Sequence, residues 1–123
     1  MARILIVEDE TDLAELYRLI LQDHGHTILG PYADPRDSLA RPEEEPIDLI
    51  LLDERLGRLS GSAYMDQFRK AFPSAKIALV SADPEAIEEG ISRGADSVLK
   101  KPVHLSQLLE HVLALLADAP ASG

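Results

Sequence analysis

Cysteine is absent from this sequence, which excludes a disulfide framework, a thiolate nucleophile and a Cys-ligated zinc site. Tryptophan is absent too, and aromatics make up only 4% of the chain, so a core built here must be aliphatic. Positive charge is scarce: 12 Lys+Arg face 22 Asp+Glu, a net charge of −10. That balance argues against nucleic acid as a partner, because neutralising phosphates needs a basic face. It argues against an anionic membrane surface for the same reason. No apolar run approaches the ~20 residues of a membrane helix. The run Ile4 to Val7 is too short for a signal-peptide core and meets Glu8-Asp9-Glu10 directly. The expected compartment is the cytoplasm, by default rather than by signal.

What is present suits one folded domain. The chain has 123 residues, 46% of them hydrophobic, enough to bury a core. Short aliphatic runs alternate with amphipathic stretches. The runs are Ile4 to Val7, Ile28-Leu29, Leu49 to Leu52, Ile77 to Val80 and Val98-Leu99. Three are continuous rather than alternating, as in strands covered on both faces of a parallel sheet. Between them, Leu13, Leu16, Tyr17 and Ile20 recur at helical spacing, as do Leu105, Leu108, Leu109, Val112 and Leu116. Tyr64, Met65, Phe68 and Phe72 suggest a helix ended by Pro73, and Ile87 with Ile91 a weaker one. Thr11 or Asp12 is expected to cap the first helix and Gly25 to end it; Asp83-Pro84 opens another that Gly94 closes. The segment from Asp34 to Glu45 carries two prolines and three consecutive glutamates, so a short helix and a solvated turn are expected there. About five βα units predict an α/β domain with a doubly wound, five-stranded parallel sheet over residues 1–118, followed by a short tail at 119–123.

In open α/β sheets, ligands bind beyond the carboxyl ends of the strands. The residues there are Glu8 and Asp9 after the first run, Asp53 after the third, Ser81 after the fourth, and Lys101 after the fifth. Carboxylates brought together repel, and relief comes from protonation or a bound cation. Oxygen ligands in this number suit Mg²⁺, and a lysine and hydroxyl facing them suit a metal-bound phosphoryl group. Taken singly, each residue has a plainer reading. Asp53 could cap a loop, Glu8 and Asp9 could favour a helix N-terminus, and Ser81 and Lys101 could be turn and surface residues. Chance would have to place all five at one edge. The four histidines show no helical metal spacing.

In register, the stretches Ile4-Leu5-Ile6-Val7-Glu8-Asp9-Glu10, Asp48-Leu49-Ile50-Leu51-Leu52-Asp53, Leu79-Val80-Ser81-Ala82, Gly94-Ala95-Asp96 and Lys101-Pro102, with Gly61 between them, resemble a receiver domain of a two-component response regulator. The resemblance is to the single-domain, chemotaxis-regulator-like kind with a flavodoxin-like fold. It implies that Asp53 accepts a phosphoryl group from a phosphohistidine on a sensor histidine kinase or histidine phosphotransfer protein. It implies Mg²⁺ on Asp9, on Glu8 through water, on Asp53 and on the backbone carbonyl of Arg55. Lys101 and the Ser81 hydroxyl would contact phosphoryl oxygens, and the Lys101-Pro102 bond resembles the family's cis peptide. A downstream protein would dock on residues 83–117, so the domain signals by contact and is no enzyme beyond its own phosphorylation and dephosphorylation. Whether the phosphorylated form pairs with a second copy is left open.

Two departures from the family matter. Val98 stands where an aromatic is common, so a switch following Ser81 must be read out by backbone and helix shifts rather than ring rotation. Arg55 and Asp83 border the acceptor and are expected to pair across its mouth. Gly57 replaces a frequent proline, an expected loosening of that loop. The main rival is a pseudo-receiver never phosphorylated at Asp53, disfavoured by the intact acidic, hydroxyl and lysine set. A small Mg²⁺-dependent phosphohydrolase lacks a second acid two residues after Asp53. In a flavodoxin-type protein, the acidic turn after the first strand would repel phosphate.

Overall fold

Three of the five aliphatic runs, Ile4 to Val7, Leu49 to Leu52 and Ile77 to Val80, are strands buried throughout, because the sheet is covered on both faces. In the computed structural model, which describes residues 2–40 and 46–117, strands β1 (Arg3–Val7), β2 (Thr27–Tyr32), β3 (Leu49–Asp53), β6 (Lys76–Ser81) and β7 (Ser97–Lys100) form a parallel sheet of order β2-β1-β3-β6-β7. Successive side chains leave opposite faces. Ile4, Ile6, Leu49, Leu51, Ala78 and Val80 therefore meet α1 (Thr11–Asp23) and α5 (Leu105–Ala117) through Tyr17, Leu21, Leu108, Val112 and Leu115. Leu5, Val7, Ile50, Leu52, Ile77 and Leu79 meet Met65 and Phe68 of α3 (Met65–Ala71) on the other face. Leu115 is likewise buried in the first layer. The α4 helix (Pro84–Ser92) lies so close to Leu79 that a Cβ on Gly90 would come within 2.3 Å of its Cδ2.

The central acidic edge follows from the order of the strands. The order reverses between β1 and β3, the point where doubly wound folds open a crevice. Edge strand β2 runs past the expected Ile28-Leu29 to include cis Gly30–Pro31, and its register against β1 shifts between Leu5 and Val7. Proline is tolerated there because an edge strand leaves one side unpaired.

Several local expectations hold and some do not. Gly25 and Gly94 close α1 and α4 with φ of 89° and 97°, and Asp83 caps α4 by accepting from Glu85 N at 3.0 Å. The α1 cap is instead Glu10, so Thr11 and Asp12 are already helical. Glu10 is taken up there because its N–H donates to Glu8 Oε2 at 3.2 Å while its carbonyl accepts Ala14 N at 2.9 Å. The helix predicted around Tyr64 begins as a 3₁₀ turn (Gly61–Tyr64) and ends before Phe72 and Pro73. The short helix expected after Asp34 is α2 (Pro35–Leu39). The glutamate turn 43–45 and the tail 119–123 lie outside the described residues. A two-stranded antiparallel hairpin, β4 (Arg55–Leu56) with β5 (Leu59–Ser60), follows β3 and was not expected. Among the described residues no helix is long and apolar enough to cross a membrane.

Candidate phosphoacceptor and metal site

Each site residue is carried by the end of a strand that buried aliphatic side chains hold in place. Glu8 and Asp9 follow β1, Asp53 ends β3, Ser81 ends β6, and Lys101 follows β7. Ligand oxygens of Glu8, Asp9 and Asp53 lie within 4.8 Å of one another. Glu8 and Asp53 are buried, at 3% and 2% exposure, whereas Asp9 is exposed. Lys101 Nζ stands 2.8 Å from Asp53 Oδ1 and 3.8 Å from Glu8 Oε1. Asp53 Oδ2 and Glu8 Oε1 have no hydrogen-bond partner. Buried acceptors left open are costly, and Asp53 borders a cleft of about 570 Å³ lined also by Arg55, Gly57, Ser81, Asp83 and Lys101.

The electrostatics follow from that burial. Desolvation, helped by the charge of Asp53, pushes Glu8 up to about 7. Burial also raises Asp53, against the opposing ion pair with Lys101. Lys101 is held above its usual value because the Asp53 and Glu8 carboxylates outweigh its own desolvation. One ammonium thus serves two buried acids with a third beside them. The donor set, three carboxylates with two orphaned oxygens, fits a divalent cation.

The other positions divide. The Ser81 hydroxyl lies at the cleft and accepts from Asp83 N at 3.0 Å. Lys101–Pro102 is cis, and Lys101 N donates to Ser81 O at 2.9 Å. Val98 pairs with Leu79 within the sheet, away from the cleft lining. Arg55 and Asp83 both border the cleft but form no ion pair, because the Asp83 carboxylate is turned to the α4 N-terminus. The pairing expected from their positions is therefore corrected. Gly61 is needed beside Asp53, since a Cβ there would fall 2.1 Å from the Asp53 carbonyl oxygen.

Two features of the site escaped sequence reasoning. Gly57 N donates to Asp9 Oδ2 at 2.8 Å, so its loop is tied rather than loosened. Glu54 receives Ser62 N, Ser60 Oγ and Ser62 Oγ at 2.8, 2.7 and 3.2 Å. The only sequence signal was an acid followed by Ser-Gly-Ser, which is too common to single out.

The model of the response regulator receiver domain matches residues 4–113. This chain belongs to that family. The receiver domain is 32% identical over 112 residues to regulatory protein VanRc of Enterococcus gallinarum, covering 89% of this chain and 48% of that protein. It is 31% identical over 122 residues to response regulator ArlR of Staphylococcus saprophyticus, covering 98% and 54%. The chain thus spans about half the length of these curated relatives. Among solved structures, a CheY-like receiver domain protein from Methanospirillum hungatei superposes with a TM-score of 0.90 at 29% identity, covering 100% of this chain and 99% of that one. The doubly wound sheet expected from the alternation of runs, and the receiver fold the resemblance implied, are the fold observed.

Proposed function

We propose that this receiver accepts a phosphoryl group on Asp53 in a Mg²⁺-dependent reaction with a phosphohistidine of a sensor histidine kinase or phosphotransfer protein. The observation that carries the reading is the buried Asp53, ion-paired to Lys101 yet with Oδ2 unpartnered, beside Glu8 and Asp9. An Asp53 oxygen attacks phosphorus, its P–O bond forming as the P–N bond to imidazole breaks in line. The departing imidazole keeps the electron pair and takes its proton from water or the donor. Such transfers are governed by positioning and charge neutralisation more than by covalent catalysis. Lys101 Nζ keeps the carboxylate ionised and shifts toward a phosphoryl oxygen as charge spreads to the equatorial positions. The Ser81 hydroxyl exchanges its bond from Asp83 N for donation to another phosphoryl oxygen. Asp9, Asp53, the Arg55 carbonyl and, through water, Glu8 would hold Mg²⁺, whose role is to neutralise charge on the transferring group.

The consequence is altered protein contact in the cytoplasm through residues 83–117, with no nucleic-acid or membrane contact by this domain. With valine at position 98, Ser81 movement is transmitted by the β6–α4 connection rather than by an aromatic ring. Intact mass after incubation with acetyl phosphate tests the reading. A phosphoryl adduct is expected in the wild type with Mg²⁺, and none without Mg²⁺ or in Asp53→Asn. Mg²⁺ binding with no adduct would instead favour the pseudo-receiver, a module that binds its partner unmodified.

A further inference from the structure

The hairpin after Asp53 has too little pairing to hold itself. It consists of two bridges, Arg55 with Ser60 and Leu56 with Leu59, and isolated hairpins even larger than this are marginal in water. Its tip is Gly57, in the left-handed region at φ 64° with nothing packed within 4 Å of where a Cβ would stand. Yet this hairpin supplies the N–H that donates to Asp9, and its Arg55 borders the cleft beside Asp53. Something outside the hairpin must hold its shape.

Part of that anchoring is Leu56, buried in the core at 3% exposure. The rest is Glu54. Its backbone N donates to Val80 O at 2.9 Å, and its carbonyl accepts Gly61 N at 2.7 Å, closing the loop at its base. Its carboxylate then gathers the far strand: Oε1 accepts from Ser62 N, and Oε2 from both Ser60 Oγ and Ser62 Oγ, which themselves lie 2.8 Å apart. A carboxylate accepting several donors is the stronger sort of hydrogen-bond hub. Glu54 borders the same cleft but is no member of the cluster of Glu8, Asp9 and Asp53.

We propose that Glu54 is a positioning residue for the divalent cation of the acceptor site. By tying Ser60 and Ser62 to the residue after Asp53, it presets the hairpin that presents Gly57 N–H to Asp9 and the Arg55 carbonyl to the metal. Asp9 is the exposed member of the three acids, so it is the one whose orientation must be imposed. This rests on the metal reading above and adds the residue that shapes the metal's outer surroundings.

Mg²⁺ titration by calorimetry, with amide hydrogen exchange on the metal-free protein, tests it. Glu54→Ala should raise the Mg²⁺ Kd by about tenfold, the usual scale for a partner behind the ligands, and should speed exchange at the Gly57 amide. Glu54→Gln removes the charge but keeps an oxygen for Ser62 N and a hydroxyl, so it should recover most of both. Arg69→Ala, which disturbs the opposite end of the sheet, should lower the melting temperature and leave the Mg²⁺ Kd unchanged. Equal Kd and equal Gly57 exchange in wild type and Glu54→Ala would overturn the proposal. So would Gln and Ala behaving alike, since that would reduce Glu54 to a distant charge. Absence of Mg²⁺ binding in the wild type would overturn the metal reading itself and this proposal with it, a result distinct from equal binding in both proteins.

Discussion

The two ends of the sheet carry the same kinds of side chain and treat them in opposite ways. At the amino end, Asp48 precedes β3 and Asp96 precedes β7. Asp48 Oδ2 accepts Arg3 N at 2.8 Å, stitching the start of β1 to β3. Asp96 Oδ2 accepts both Ile77 N and Arg69 Nη2 at 2.8 Å, and Arg69 reaches on to the carbonyls of Ala75 and Gly94. At the carboxyl end, Asp53 and Glu8 are more deeply buried and share one lysine, with oxygens left open. The lesson is that a carboxylate at a strand end is tied into the fold where donors surround it and keeps open oxygens where they are withheld. Asp96 sits below its ordinary value: its burial works upward, but bonds from Arg69 and Ile77 N outweigh it. Glu8 and Asp53 sit above theirs because desolvation dominates.

The sharpest way to break this contrast is Asp53→Asn. It should lose the phosphoryl adduct completely and, in the metal-free protein, raise the unfolding free energy by about 1–2 kcal/mol, since a desolvated charge is removed. A loss of stability in urea unfolding would mean that Asp53 is a structural residue like its counterparts. The mirror experiment is Asp96→Ala, expected to cost about 2–3 kcal/mol because Ile77 N and Arg69 lose a charged acceptor, while adduct formation persists in the folded protein.

The pH dependence separates the two ends next. Between the ordinary carboxyl value and about 7, folded Glu8 holds a proton that the unfolded chain has released. Metal-free stability should therefore decline as pH rises from about 5 to about 8, and Glu8→Gln should flatten that slope in thermal melts. Asp96 is depressed, so its contribution is present above the ordinary Asp value and is lost as pH falls through its lower folded value. The smallest effect belongs to Asp48→Asn. The exposed bond to Arg3 N is worth about 0.5–1 kcal/mol, and the change should leave both Mg²⁺ binding and the adduct intact.

Much of the site was legible because strand order in a doubly wound sheet is constrained by chain chirality and short connections. Once Ile4 to Val7, Leu49 to Leu52 and Ile77 to Val80 read as buried parallel strands, Glu8, Asp9, Asp53 and Ser81 had to emerge at one edge. Lys101 followed from the same logic one strand further on. The expected Arg55–Asp83 pair failed for a local reason: an N-terminal cap on α4 outcompetes a salt bridge that would have had to cross an open, solvated cleft. The tie from Gly57 to Asp9 could not be read at all. It joins residues 48 positions apart through a backbone N–H, and backbone donors carry no residue-specific signal.

Hydrophobic spacing by itself therefore determined the parallel α/β sheet and the edge at which five polar residues meet. These depend on periodicity and strand order, which are written in the order of side chains. Only the tertiary structure decided which carboxylate oxygens remain open, that Glu8 and not Asp9 is the buried partner of Asp53, and that Glu54 binds Ser60 and Ser62. Those outcomes depend on desolvation and on hydrogen-bond distances of about 3 Å, which exist only once separate strands and loops have been packed against one another.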